Sequence, residues 1–230
     1  MIQFVFMLTH NDRTVPDAID VLRGLKGTGL SYVGCKDVGA TPDVLRELVT
    51  VAHGDGLEVM LEVVSTSREE ELTSLRTAAE VGVDWVLGGT NAAEGAVVLA
   101  GSGIRYCPFP GRIVGHPSVL EGEIAEIAAS ARELTSVDGV HGLDLLTYRH
   151  ATADPGELTR AVVDASPGPV IAAGSVVEPA QITTLAAAGA WGFTIGGAVF
   201  EGRLPGAPDV PAQVRAVLGM AATGGAKSTE

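Results

Sequence analysis

Short runs of β-branched, aromatic and aliphatic residues begin near Gln3, Leu30, Leu57, Val83, Ile104, Val140, Pro169 and Trp191, eight times along a chain of 230 residues. Successive starts lie 27, 27, 26, 21, 36, 29 and 22 residues apart, about the length that one strand, one helix and two loops occupy. Most of the runs are followed by apolar residues at helical spacing. This repeat predicts an α/β fold, a single-domain (β/α)8 TIM barrel over residues 1–222, with 223–230 as a flexible tail. An open, doubly wound sheet is the competing arrangement of the same alternation.

Local punctuation agrees with the repeat. Pro16, Pro42 and Pro155 fall where first-turn prolines belong, and Asp154 and Glu178 stand at helix starts. Gly29, Gly56, Gly82, Gly103, Gly139 and Gly189 each precede a strand by a few residues, where a left-handed residue ends a helix.

Composition excludes several classes of function. A formal net charge of −13 repels nucleic acid and anionic membrane surfaces, while leaving room for a small anion in a local pocket. The first ten residues lack a basic leader, and no uncharged apolar run approaches the roughly 20 residues of a membrane helix, so a soluble, cytoplasmic protein is expected. Cys35 and Cys107 are too few for a disulfide framework or a zinc knuckle and are expected to be reduced and structural.

Strand alternation then says which side chains face inward. In LSYVGCKD, Val33 and Cys35 face the helices, which turns Tyr32, Gly34 and Lys36 into the barrel. In LEVMLEVV, Val59, Leu61 and Val63 face outward and Glu58, Met60 and Glu62 inward; in HGLDLL, Leu143 and Leu145 face outward and Gly142 and Asp144 inward. Lys36, Glu62 and Asp144 lie toward the C-terminal ends of their strands, where barrels of this type carry their chemistry. An interior lysine beside carboxylates is either a paired network or a set of proton donors and acceptors.

More polar residues are expected at the same rim: Thr9, His10 and Asn11 after the first strand, Asp37 after the second, and Tyr148, Arg149 and His150 after the sixth. Arg149 suits an anionic substrate group. The long segment PFPGRIVGHPSVLEGE after the fifth strand carries Arg112 and His116 and has the length of a lid or a substrate-binding loop. His10, Arg112, His116 and Arg149 are therefore the candidate substrate-binding residues. Among the five histidines there is no His-x-His and no His-Glu-x-x-His, and no dinucleotide fingerprint follows the first strand, so neither a metal nor another cofactor is expected.

The stretch WGFTIGGAVFEG ends a strand in Gly196 and Gly197, and PVIAAGSVVEP ends the preceding one in Gly174 and Ser175. Bare glycines let backbone N–H groups approach a ligand, and loops after strands seven and eight are where these barrels hold phosphate. Tight packing of neighbouring elements is the structural alternative.

The segment Pro169–Gly202, 34 residues, resembles the paired phosphate-binding motif of the ribulose-phosphate-binding barrels, especially N-acylmannosamine-6-phosphate 2-epimerases and the aminoaldose isomerases of histidine biosynthesis. The resemblance implies that the backbone of Gly174, Ser175, Gly196 and Gly197 binds a sugar phosphate. It carries over less well to chemistry. The isomerases place an aspartate on strand one, whereas Asp12 falls beyond that position here, and the Asp-x-Lys-x-x-Asp signature of the decarboxylases has only a Lys36-Asp37 pair, on strand two.

The expected function is metal-independent isomerisation or epimerisation of a phosphorylated sugar or sugar acid, with Lys36, Glu62 and Asp144 moving protons next to a carbonyl. A class I aldolase or lyase with Lys36 as the Schiff-base amine is one alternative. A barrel that binds a phosphorylated metabolite without turning it over is another. The expected partner is the phosphorylated small molecule, with a homodimer through the outer helices as an open arrangement.

Overall fold

A computed structural model describes residues 1–224. Eight parallel strands, β1 (Gln3–Met7), β2 (Tyr32–Lys36), β3 (Glu58–Val63), β4 (Trp85–Gly88), β5 (Arg105–Cys107), β6 (Leu143–Leu145), β7 (Val170–Ala172) and β8 (Gly192–Ile195), pair in the order β6-β7-β8-β1-β2-β3-β4-β5. Each begins within three residues of its expected position. The outermost strands, β5 and β6, meet through a parallel bridge between Tyr106 and Val140. The His141 N–H donates to the Tyr106 carbonyl at 2.8 Å and the Asp144 N–H to the Pro108 carbonyl at 3.1 Å, so the sheet closes into a barrel and is not an open doubly wound sheet.

Helices α1 (Ala18–Arg23), α2 (Pro42–Gly54), α3 (Arg68–Val81), α4 (Ala92–Leu99), α5 (Ile124–Thr135), α6 (Pro155–Ala165), α7 (Pro179–Ala187), α8 (Gly197–Phe200) and α9 (Val210–Gly224) lie outside the strands. Residues 223 and 224 belong to α9, and the rest of the expected tail lies outside the described residues. Pro42 and Pro155 open α2 and α6, and the Thr41 and Asp154 side chains accept N–H groups that have no carbonyl to bond in the first turn. Pro16 stands before Asp17, the N-cap of α1, because the turn in which the Ala18 N–H meets the Val15 carbonyl delays the helix. The six helix-exit glycines all have positive φ, between 76° and 89°.

Burial follows the alternation read from the strands. Val33, Cys35, Val59, Leu61 and Val63 pack outward with Leu45, Leu48, Leu72 and Leu75 of the flanking helices, while Leu143 and Leu145 join a second outer cluster. Val5, Met7, Met60, Trp85, Leu87, Cys107 and Ile171 fill the barrel itself. Gly34 has no side chain because a Cβ there would stand 2.3 Å from the Met7 sulfur. Both cysteines are buried and unbonded to each other, and burial pushes the Cys35 thiol up to about 12.

The N-terminal end of the barrel is stoppered. Trp191 packs against Trp85 and Tyr32 with ring centroids 5.2 and 5.4 Å apart, and Arg105 lies 4.2 Å over the Trp85 ring. Glu58, one of the inward carboxylates, accepts from the Trp85 indole at 2.6 Å and pairs with Arg105 at 3.3 Å, and so belongs to this plug and not to the opposite mouth. No helix among the described residues is long and apolar enough to cross a membrane.

Candidate active site

The mouth at the C-terminal ends of the strands holds a cavity of about 440 Å³, bounded by residues from β1, β2, β3 and β8 and from the segments after β1, β5, β6, β7 and β8. Its floor is a charged cluster. Lys36 and Glu62 are paired across β2 and β3 in register, with the ammonium 3.6 Å from the carboxylate and both side chains about 95% buried. The Thr14 hydroxyl donates to the Lys36 carbonyl at 2.7 Å and accepts from the Lys36 N–H at 2.8 Å, which fixes the end of β2.

The residue that organises the cluster is Asp12. Thr9–His10 and Arg13–Thr14 form a short antiparallel hairpin after β1, with Asn11 and Asp12 both in the left-handed region at φ 50° and 58°. A two-residue turn of this kind is where Asn and Asp are favoured. It folds the chain back on itself, so that Asp12 returns to the mouth and accepts hydrogen bonds from the Lys36 ammonium and, at 2.9 Å, from Arg149. Asp12 does fall beyond the strand-one position, as read from the sequence, but the hairpin returns it to the cavity. Gly39 makes room for the hairpin, since a Cβ there would lie 2.7 Å from the Thr14 carbonyl oxygen. Burial acts to raise the Asp12 carboxyl, but the hydrogen bonds from Arg149 and Lys36 outweigh it and hold the group at about 2.

Asp144 faces the same interior but does not line the cavity. It is wholly buried, neither carboxylate oxygen has a hydrogen-bond partner, and burial first and the Glu62 charge second push its carboxyl well above the usual range.

One wall of the cavity is backbone. Gly174 (φ 80°) and Ser175 (φ 61°) turn the chain after β7, with Val176 beside them, and Gly196, Gly197 and Ala198 lead from β8 into α8. The two glycines of β8 are there for different reasons. A Cβ on Gly196 would meet the Thr9 hydroxyl and carbonyl at 2.5 and 2.6 Å, which is the tight-packing alternative. A Cβ on Gly197 would find nothing nearer than His10 at 3.7 Å, so packing does not require glycine there. The Gly197 and Ala198 N–H groups open a helix and have no carbonyl one turn back to bond.

Arg149 lines the cavity, and its donation to the Ser118 carbonyl at 3.4 Å sets its direction. His10 sits at the rim with Nε2 3.1 Å from Glu201. Arg112 is outside: residues 112–114 and 119–121 form a second hairpin in which it pairs with Glu121 at 2.5 Å. His116 lies at the tip of that hairpin in a neighbouring cleft of about 760 Å³, with Arg13 and Asp37. Asp37 has a structural place, accepting from the Val64 N–H at 3.0 Å and from the Ser65 and Ser74 hydroxyls. His150 bonds the Gly122 carbonyl at 2.8 Å and the Tyr148 hydroxyl the Gln181 carbonyl at 3.3 Å. Sequence reasoning did not single out Glu201 and Arg203, which reach the cavity from beyond α8. Among the described residues, no group of three His, Cys, Asp or Glu side chains is placed to hold a metal ion.

No protein-family model matches the sequence, and no curated protein matches it. Solved structures do share the fold. The native KDPGal structure is 18% identical with a TM-score of 0.68, covering 96% of this chain and 95% of that one. Orotidine 5'-phosphate decarboxylase from Pyrococcus horikoshii OT3 is 14% identical with a TM-score of 0.68, covering 96% and 99%. The N-acetylmannosamine-6-phosphate 2-epimerase from Clostridium perfringens is 12% identical with a TM-score of 0.62, covering 85% and 86%. At such identities the likeness is one of fold. It includes an epimerase of the kind that Pro169–Gly202 resembles in sequence.

Proposed function

We propose that this barrel is an enzyme that moves a proton next to a carbonyl of a phosphorylated sugar or sugar acid, as an isomerase or epimerase working without a metal. One observation carries the reading: a buried acid–base cluster at the ends of β2 and β3 and the glycine-rich backbone after β7 and β8 bound the same cavity. The peptide N–H groups of Ser175, Gly197 and Ala198 take the phosphate, which fixes the rest of the substrate over Lys36 and Glu62. Glu62 removes the proton beside the carbonyl, and the electron pair of that C–H bond moves toward the carbonyl oxygen, where Lys36 donates a hydrogen bond. Return of the proton to the former carbonyl carbon, while the neighbouring hydroxyl gives up its proton and the former carbonyl oxygen takes one, gives isomerisation; delivery of a proton to the other face of the carbon that lost it gives epimerisation. Arg149, whose side chain lies against Gly174, suits the phosphate itself.

Lys36 forms ion pairs with both Asp12 and Glu62, an arrangement that suits a charged hydrogen-bond donor better than the uncharged amine that a Schiff base requires. The test is a thermal-shift comparison of phosphorylated sugars and sugar acids with their dephosphorylated counterparts, on the parent protein and on Gly197→Asp. A ligand at about 100 times its dissociation constant adds roughly 2.7 kcal/mol. Stabilisation by phosphorylated compounds only, lost in Gly197→Asp, followed by solvent-deuterium incorporation that Glu62→Gln abolishes, is the expected result. Binding without exchange points to a non-catalytic phosphometabolite barrel. A reduced adduct on Lys36 after borohydride trapping points to the aldolase.

A further inference from the structure

The charged cluster in the mouth contains two cations and three carboxylates. Lys36 stands between Asp12 and Glu62, and Arg149 holds Asp12 from the other side. These four groups balance, and Asp144 does not enter any of their pairs. It is fully buried on β6, and both its oxygens lack a donor. The groups that face it are Glu62 from β3, Lys36 from β2, the Cys107 thiol from β5 and Arg149 beyond its own strand, while Leu87 of β4 and Ile171 of β7 contribute only hydrocarbon. An ionised Asp144 leaves the cluster with one uncompensated negative charge away from water, the least favourable state a buried carboxyl can take.

We infer that Asp144 is a positioning residue that stores one proton beneath the cavity, held there by its complete burial without a hydrogen-bond donor and, second to that, by the neighbouring Glu62 charge. As a neutral acid Asp144 does not compete for Lys36, so the ammonium stays committed to Asp12 and Glu62. When Asp144 ionises, a third carboxylate competes for the Lys36 ammonium and draws it from the cavity. On the proton-transfer reading proposed above, on which this last consequence alone rests, the alkaline limb of the rate profile belongs to Asp144.

The test needs no substrate. Exposed carboxylates are ionised at pH 7, so infrared absorption from a carboxylic-acid C=O there reports a buried proton. Ligand-free protein should show that band at pH 7 and lose it in Asp144→Asn. Glu62→Gln leaves Asp144 buried but removes the neighbouring negative charge, so the band should be lost at a lower pH in that variant than in the parent. No band in the parent protein at pH 7, or one that survives Asp144→Asn, overturns the stored proton. A band lost at the same pH in Glu62→Gln as in the parent overturns the Glu62 charge as a cause. If Asp144→Asn does not fold, the parent pH titration and Glu62→Gln decide the matter between them. Failure to find deuterium exchange with any sugar phosphate, with the band intact, counts against the proposed function alone.

Discussion

Thr9 occupies the space that a side chain on Gly196 needs: its hydroxyl and carbonyl oxygens lie 2.5 and 2.6 Å from where a Cβ would be. The end of β1 and the end of β8 are therefore locked together at the cavity wall. Gly197, one residue on, is free of that constraint.

The two glycines should respond differently to the same substitution. Gly196→Ala forces backbone apart and is expected to cost roughly 1–3 kcal/mol, a fall in melting temperature of several degrees for a domain of this size. Gly197→Ala meets only ordinary contacts and should melt near the parent temperature. Differential scanning fluorimetry separates them; equal losses at the two positions sink the assignment of Gly196 to packing.

Asp12 should give the protein a steep acid limb of stability. Its folded carboxyl titrates at about 2, below the ordinary 3.8, so in that interval the folded chain binds fewer protons than the unfolded one. The stabilisation is complete above about pH 4 and is lost as the pH falls through 2; the shift corresponds to about 2 kcal/mol. Asp12→Asn should cost more at pH 7 than at pH 2.5, and urea midpoints at the two values measure the difference. A cost that does not change with pH contradicts the ion-pair account.

Thr14 holds the backbone of Lys36 through both a donated and an accepted hydrogen bond. Thr14→Val keeps the shape and removes the hydroxyl, leaving a buried N–H and carbonyl unmet at a cost of roughly 1–3 kcal/mol. Turnover should fall more than substrate affinity, and Thr14→Ser should recover most of it. A variant that binds and exchanges deuterium like the parent shows that the clamp does not matter to the chemistry.

Glu71 offers a contrast among the buried carboxylates. It is 1% exposed and accepts from the Thr90 and Asn91 N–H groups at 3.0 and 2.9 Å and from the Asn91 side chain at 2.8 Å, so it caps α4 from a neighbouring helix. Glu71→Gln exchanges an acceptor for a donor facing those N–H groups and should lower stability by roughly 1–3 kcal/mol. Phosphorylated-ligand affinity in the folded fraction should stay at the parent level. Isothermal titration below the melting range tests this.

Much of the barrel was legible in the chain because two independent signals coincide at six of the eight units: an apolar run of strand length and a glycine that ends the helix before it. The inward turn of Lys36, Glu62 and Asp144 followed from alternation alone. Asp12 escaped because its place depends on a hairpin of two-residue arms, too short to show any alternation. Its one local signal was the Asn11-Asp12 pair, which suits a left-handed turn, and a strand-by-strand reading passes over it. Arg112 and His116 show the reverse difficulty. A long loop rich in glycine and proline resembles a substrate lid, yet the pairing of 112–114 with 119–121 turns Arg112 onto Glu121 and carries His116 into the adjoining cleft.

The aromatic and ionic plug of Trp85, Trp191, Tyr32, Glu58 and Arg105 makes the barrel a vessel with one door. On the proposed function, a substrate that enters over Lys36 leaves by the same mouth, which Glu201 and Arg203 help to line. An incoming substrate therefore waits for the departing product, and the product should act as a purely competitive inhibitor of the forward reaction.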